Sequence, residues 1–179
     1  MTHHTIRPAR PEDVAEILEM IHELAVYEQE PDAVKTTAAQ LHETLFGDSP
    51  AVFAHVADAD PAGDAAAGDG SEHRLAGFAI WFLTYSTWEG VHGIHLEDLY
   101  VRPSTRGSGL GRRLMATLAA ECHARGYARL EWKVLKWNEL ALGLYRSVGG
   151  QPQDEWDVYR LDGGALTALA DRNGAPTAS

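Results

Sequence analysis

Apolar positions follow two rhythms along this chain. Val14, Ile17, Leu18, Ile21 and Leu24 recur at helical spacing after Pro11-Glu-Asp, a helix-opening signal, and predict a first amphipathic helix. Leu41, Leu45 and Phe46 mark a second helix beginning near Thr37. Leu114, Met115, Leu118, Ala119 and Cys122 mark a third over residues 112–125. Ala141, Leu142, Leu144, Tyr145 and Val148 mark a fourth over residues 138–148, which Gly149-Gly150 ends. Between these lie stretches rich in β-branched, aromatic and other apolar residues. Residues 5–7, 51–57, 74–84, 96–101, 129–135 and 156–161 are predicted as strands, and 164–170 as a short last helix.

The resulting order is mixed α/β, with a right-handed crossover from the strand before the third helix to the strand after it. Residues 58–73 are polar and low in complexity, which reads as a flexible surface loop, and 171–179 read as a frayed tail. With 179 residues and no internal repeat, a single domain over 1–179 is expected, its core at about 5–162.

Composition narrows the function classes. Hydrophobic residues make up 45% and charged residues 23%, as in ordinary globular domains. No apolar run reaches membrane length and the first residues lack a signal-peptide core, so a cytoplasmic protein with no membrane partner is expected. Twenty-six acidic against 15 basic residues give a formal charge of −11. That argues against a nucleic-acid partner, and it suits either attraction of a cationic substrate or plain solubility. The one cysteine, Cys122, lies on an apolar helix side and reads as a buried structural thiol. The nine histidines show no zinc-ligand spacing, and His92 and His95 point to opposite faces of a strand, so no metal is expected.

The strongest chemical signal is Arg106-Gly-Ser-Gly-Leu-Gly111, set between a predicted strand and a predicted helix. A glycine turn opening a helix offers unpaired N–H groups and the positive end of the helix dipole, an anion site that usually takes phosphate. Gly111-Arg112-Arg113 is not the Gly-Lys-Ser/Thr end of a nucleotide P-loop, and no frame gives the dinucleotide pattern G-x-G-x-x-G. Arg-x-x-Gly-x-Gly fits, on Arg106, Gly109 and Gly111. On these six residues alone, a plain helix-capping turn is the competing reading.

That pattern resembles the acetyl-CoA pyrophosphate loop of GNAT acetyltransferases, and the predicted element order resembles theirs over roughly residues 6–170. Leu24-Ala-Val-Tyr-Glu28, Gly77-Phe-Ala, Tyr85-Ser-Thr-Trp88, Leu96-Glu-Asp98, Trp137-Asn-Glu139 and Leu144-Tyr-Arg-Ser-Val-Gly149 are similar to the spermidine/spermine N-acetyltransferase branch. The chain departs from that branch in residues 58–73, and in residues 151–157, where the family's substrate-side carboxylates lie.

The resemblance implies an α/β acyl-CoA N-acyltransferase fold, a mixed twisted sheet flanked by helices. It also implies acetyl-CoA as co-substrate, a small cationic amine as partner, and a homodimer. The expected activity is acetyl transfer to a polyamine, diamine or lysine-like primary amine by direct attack in a ternary complex. An acetylase of peptides or proteins, or a non-catalytic acyl-CoA-binding module, are the alternatives.

By the same resemblance, Tyr145 is the acid that protonates the leaving thiolate, although its apolar setting alone reads as a core tyrosine. Glu97 binds the amine and accepts its proton. Leu99, Tyr100, Val101, Arg106, Gly107, Ser108, Gly109, Leu110, Gly111, Arg112 and Asn138 hold the co-substrate. Tyr27, Glu28, Trp88, Glu97, Asp98, Glu131 and Asp154 line the amine pocket. Strand alternation sends Glu97 and Asp98 to opposite faces, and Asp98 fits a structural role as well as a binding one. Trp88 fits a core or dimer contact equally.

Overall fold

The computed structural model describes residues 4–60 and 74–172. They form, in order, β1 (Ile6–Pro8), α1 (Val14–Tyr27), α2 (Ala38–Phe46), β2 (Val52–Asp58), β3 (Leu75–Ser86), β4 (Val91–Val101), α3 (Leu110–Arg125), β5 (Leu130–Trp132), α4 (Glu139–Ser147) and α5 (Gly163–Asp171). The chain divides into two units, Met1–Leu144 and Tyr145–Ser179. The inner part of the predicted 58–73 loop and the tail beyond residue 172 lie outside the described residues.

The first unit is a five-stranded sheet in the order β1-β2-β3-β4-β5. Every neighbouring pair is antiparallel except β4 and β5, which run parallel across the α3 crossover. Val14, Ile17 and Met20 of α1 and Leu41 and Leu45 of α2 pack with Ala54, Val56, Phe78, Ile80 and Tyr100 in one core. Those strand residues sit at alternate positions, as one face of a pleated sheet requires, and Leu75 of β3 joins the core where the β2–β3 register shifts. The buried stripe of α3, Leu110, Leu114, Met115, Leu118 and Cys122, lies outside this cluster and packs on β3 and β4.

Local chemistry fixes the element ends. Thr37 Oγ1 accepts the N–H of Gln40 while Gln40 Oε1 accepts the N–H of Thr37, a reciprocal cap that opens α2. Gly126, left-handed at φ 67°, closes α3. Cys122 is buried, and burial pushes its thiol up, the state of a structural rather than a nucleophilic cysteine. A buried arginine ties α1 to the sheet. Arg102 Nε donates to Leu75 O at 3.0 Å, and its terminal nitrogens meet Glu23, Glu19 at 3.2 Å and Glu16 at 3.5 Å.

Three predicted strands differ from the structure: β4 begins at Val91 and not at 96, because residues 91–95 pair with Phe82–Ser86 of β3, and the other two fall short for one shared reason. Residues 129–135 shorten to Leu130–Trp132, because β4 leaves β5 after Leu96 and residues 133–135 have no strand to join. Residues 156–161 form no strand: no ladder among the described residues pairs with them, and Trp156, Val158 and Tyr159 stay exposed. Alternation makes a segment strand-capable, but only a hydrogen-bonding neighbour makes it a strand.

Asp13 is the fully buried carboxylate of this frame. It accepts from Arg7 at 2.7 and 3.1 Å and from the Arg10 N–H at 2.8 Å. Burial pushes its carboxyl up, but the Arg7 and Arg10 hydrogen bonds outweigh burial and hold it below the ordinary 3.8. A lowered carboxyl stabilises the fold above its ordinary value, and that stability is lost as pH falls through the lower, folded value. Asp13→Ala is expected to cost about 3 kcal/mol in urea denaturation at pH 7. The gap to the unaltered protein should narrow below about pH 4; a gap that held steady there would detach the cost from this ionised carboxylate.

Candidate active site

The site begins where β4 breaks its rhythm. Ile80 pairs with Asp98 while the next residue, Trp81, pairs with Leu96, so Glu97 is an extra residue with no partner on β3. A bulge of this kind re-aims side chains. Phe82 pairs with His95 and Ile80 with Asp98. Phe82 and Ile80 share a face, so His95 and Asp98 share it too, although three residues separate them. Glu97 reaches the same cluster, with Oε2 3.7 Å from His95 Nε2. The expectation that Glu97 and Asp98 face opposite ways is therefore corrected: the bulge cancels one step of the alternation.

The result is a group of carboxyls on one side of the sheet. Burial, then Glu97, then Glu28 push the Asp98 carboxyl up to about 6. Burial also pushes Glu28 up. Glu97 itself is open to solvent, with its side chain 56% exposed. Glu131 lies across β5 with Oε1 4.0 Å from His95 Nδ1, and it pairs with Arg129 at 2.8 Å. His95 stacks on Phe82, centroid to centroid 4.9 Å. His95 is the member of this cluster that the sequence pattern does not single out. Its two-residue spacing from Glu97 in a strand is the signal that places both on one face.

Beside this cluster the two parallel strands part. Pairing covers only Ile94–Leu96 against Leu130–Trp132. The Arg102 N–H bonds Ala76 O on β3 at 3.0 Å. Alternation then turns the Tyr100 N–H toward β3, and the N–H groups of Leu99 and Val101 toward the edge that β5 has left. The Tyr100 ring is buried in the core.

Next along the chain comes the glycine loop. Gly107 and Gly109 take φ of 80° and 81°, a left-handed conformation that other residues adopt only under strain, and nothing lies within 4 Å of where a Cβ would stand. At Gly111 a Cβ would come 3.2 Å from Leu144 Cδ2, so the loop runs close against α4. Ser108 Oγ donates to Thr105 O at 2.7 Å. Helical bonding in α3 starts with the Arg113 N–H to Gly109 O, which leaves the N–H groups of Leu110, Gly111 and Arg112 without partners inside the helix. Arg106 donates Nε to Val101 O at 3.0 Å, and its guanidinium carbon lies 5.0 Å from the Tyr27 ring centre and 5.6 Å from that of Tyr100. Arg112 is exposed at the helix start, whereas Arg113 bonds the His4 carbonyl. Open space, unpaired donors and charge suit a polyphosphate.

The remaining expected residues are spread more widely. Tyr27 Oη donates to Asn138 Oδ1 at 3.0 Å, and that oxygen also accepts the Ala141 N–H at 3.1 Å, capping α4. Trp88 is 90% exposed on the β3–β4 turn, so it is not a core residue. Tyr145, half-buried on α4, and Asp154, exposed in a turn, belong to the second unit. Among the described residues no group of three His, Cys, Asp or Glu could hold a metal ion, and no helix is long and apolar enough to cross a membrane.

Comparison with known proteins shows the family and the fold. Residues 17–149 match the model of the acetyltransferase (GNAT) family. A thialysine N-epsilon-acetyltransferase from Bos taurus is 35% identical over 170 residues, covering 93% of this chain and 97% of that protein. A human spermidine/spermine N(1)-acetyltransferase-like protein 1 is 29% identical over 177 residues, covering 95% of this chain and 24% of that protein. An integron cassette protein from the mobile metagenome of V. cholerae shares the fold, with a TM-score of 0.73 at 24% identity over 95% of this chain and 98% of that one.

The carboxyl cluster gives a stability test. A raised carboxyl leaves the fold unburdened below its ordinary value and costs stability as pH rises through about 6. Asp98→Asn is expected to stabilise the protein by about 2 kcal/mol at pH 8, and by less than about 0.5 kcal/mol at pH 4. Chemical denaturation at the two pH values reads this. An equal gain at both would remove the buried charge as its cause.

Proposed function

Because the chain belongs to the acetyltransferase (GNAT) family and is an N-acetyltransferase of the spermidine/spermine-like branch, we propose that it moves the acetyl group of acetyl-CoA to a primary amine on a small cationic chain. The bulge at Glu97 carries this reading: it gathers Glu97 and Asp98, within electrostatic reach of Glu28, beside the strand parting and the glycine loop. Carboxyls at such a place attract an ammonium group, and an amine of the polyamine, diamine or lysine-like class meets that requirement. The thialysine acetyltransferase likeness supports the same class.

Each step has a residue for it. Leu110, Gly111 and Arg112 N–H groups with Arg106 hold the pyrophosphate. Asp98 and Glu28 draw in the ammonium end, which carries a proton at neutral pH because its pKa is about 10.4. Glu97, the solvent-facing member, accepts that proton through water and frees the nitrogen lone pair. The nitrogen then bonds to the thioester carbon. Leu99 and Val101 N–H groups donate to the oxygen as it gains negative charge. The oxyanion re-forms its carbonyl as the carbon–sulfur bond breaks, the nitrogen gives up its second proton to solvent, and Tyr145 gives its hydroxyl proton to the departing thiolate and regains one from solvent.

A thiol-release assay over diamines, polyamines, thialysine, lysine and short peptides tests the reading. Turnover on the small amines is expected. Turnover on peptides alone would make the chain a peptide acetylase, and acetyl-CoA binding without turnover would make it a binding module. Tyr145→Phe should lower kcat roughly 100-fold while acetyl-CoA still binds by calorimetry. Glu97→Gln should lower kcat/KM for the amine most at pH 7, with the deficit closing toward pH 10 as free amine accumulates. A deficit of that form in Asp98→Asn instead would exchange the two carboxyls' roles.

A further inference from the structure

His95 has a carboxylate at each ring nitrogen, and the acetyl-transfer steps leave it without a task. Nε2 faces Glu97 Oε2 at 3.7 Å, and Nδ1 faces Glu131 Oε1 at 4.0 Å. The ring is held in place, buried and stacked on Phe82 of β3 at 4.9 Å. The two carboxylates differ. Arg129 Nε holds Glu131 Oε2 at 2.8 Å, which leaves Oε1 toward the imidazole. Glu97 stands on the bulge, more than half exposed. The charged groups around the ring are thus Glu97 on β4, Glu131 with Arg129 on β5, and Asp98 on the shared face; β3 contributes the neutral Phe82.

We propose that His95 is a positioning residue that acts through Glu97: oriented by Glu131, it receives the proton that Glu97 takes from the amine. The proposal rests on the amine-acetylation reading of this site. A carboxylate at Nδ1 favours the tautomer with its proton there, which turns the Nε2 lone pair toward Glu97. At rest that lone pair faces another acceptor, and the 3.7 Å gap is no hydrogen bond. Once Glu97 carries the ammonium proton, its O–H donates to Nε2, and a turn of the exposed glutamate closes the gap. The O–H bond then breaks and the Nε2–H bond forms. Glu97 is again a carboxylate, and the ring is an imidazolium between two carboxylates. Near neutral pH an imidazole keeps a proton that a carboxylate would hand back to the amine. After the amide leaves, the imidazolium returns its Nε2 proton to solvent through Glu97. The amine comes from the open side of Glu97 and the imidazole lies on the buried side, so the two do not compete for one place.

Amine kinetics between about pH 7 and pH 10, with calorimetry for acetyl-CoA, test this on His95→Gln, His95→Phe, Glu131→Gln and the double variant of Glu97→Gln with His95→Gln. His95→Phe keeps a ring on Phe82 and removes only the acceptor. Both His95 variants are expected to lower kcat about 10-fold at pH 7, with the deficit closing toward pH 10 as free amine accumulates. The amine KM and the acetyl-CoA Kd should stay within about 2-fold. Glu131→Gln, which affects the orientation of the ring, should lower kcat about 3-fold with the same pH form. The double variant should match Glu97→Gln within about 2-fold, since His95 acts through Glu97. A deficit that is equal at every pH, or one that lies in acetyl-CoA binding, makes His95 a packing residue and overturns the role. So do His95 variants with unaltered kcat, and so does a double variant far below Glu97→Gln. Were both His95 variants to unfold, the pH form of the Glu131→Gln deficit decides. No turnover of any amine by the unaltered protein overturns the acetylation reading and this role together.

Discussion

Between Leu96 and Asp98 the pairing of β3 with β4 passes over Glu97, and the site is arranged around that omission. An unpaired residue bends its strand and increases the local twist. In this sheet the parallel ladder to β5 stops at Leu96, one residue before the bulge. The N–H groups of Leu99 and Val101 then face an edge with no strand on it, in a sheet where such groups are ordinarily paired. The same extra residue brings His95, Glu97 and Asp98 to one face, where burial, then the Glu97 and Glu28 charges, push Asp98 up to about 6. Strand parting and carboxyl cluster thus have one geometric source.

A bulge beside a run of repelling carboxyls needs a stiff surround, and α1 supplies part of it. Arg102 is buried at the end of β4 and is bound by Glu16, Glu19 and Glu23 along α1 and by the Leu75 carbonyl of β3. Its charge is paired several times over, which offsets the desolvation that an isolated buried cation would suffer. At the other end of the helix, Asp13 holds Arg7 of β1. With both ends fixed, Tyr27 and Glu28 come off the last turn at defined places. Tyr27 meets the glycine loop and the α4 cap, and the Glu28 charge helps to push the Asp98 carboxyl up. One helix terminus therefore touches both halves of the proposed ternary complex.

Much of this was legible in the residues. The helical stripes of α1, α2, α3 and α4, the parallel crossover and the loop at Arg106 follow from local spacing and glycine chemistry, which neighbours in space do not alter. Gly107 and Gly109 adopt the left-handed conformation that only glycine takes freely, so that loop is written in the chain itself. Other features were not legible. Glu97 and Asp98 read as opposite-facing because strict alternation is the rule, and a bulge is an agreement between two strands that neither announces. Residues 156–161 alternate as a strand should, yet they lack a ladder, since pairing depends on what lies alongside.

Tyr27 shows the same division. Its aromatic ring and its place beside Glu28 were plain in the sequence, and so was its fitness to hold a cation. That the cation it meets is Arg106 of the glycine loop, and that its hydroxyl goes to Asn138, 111 residues away, was decided only when α1, the loop and α4 came together. Local chemistry determined which residues could bind charge, turn the chain or open a helix. Tertiary structure decided which of them face each other, because strand register, the bulge and the helix end are set by contacts between segments far apart in the chain.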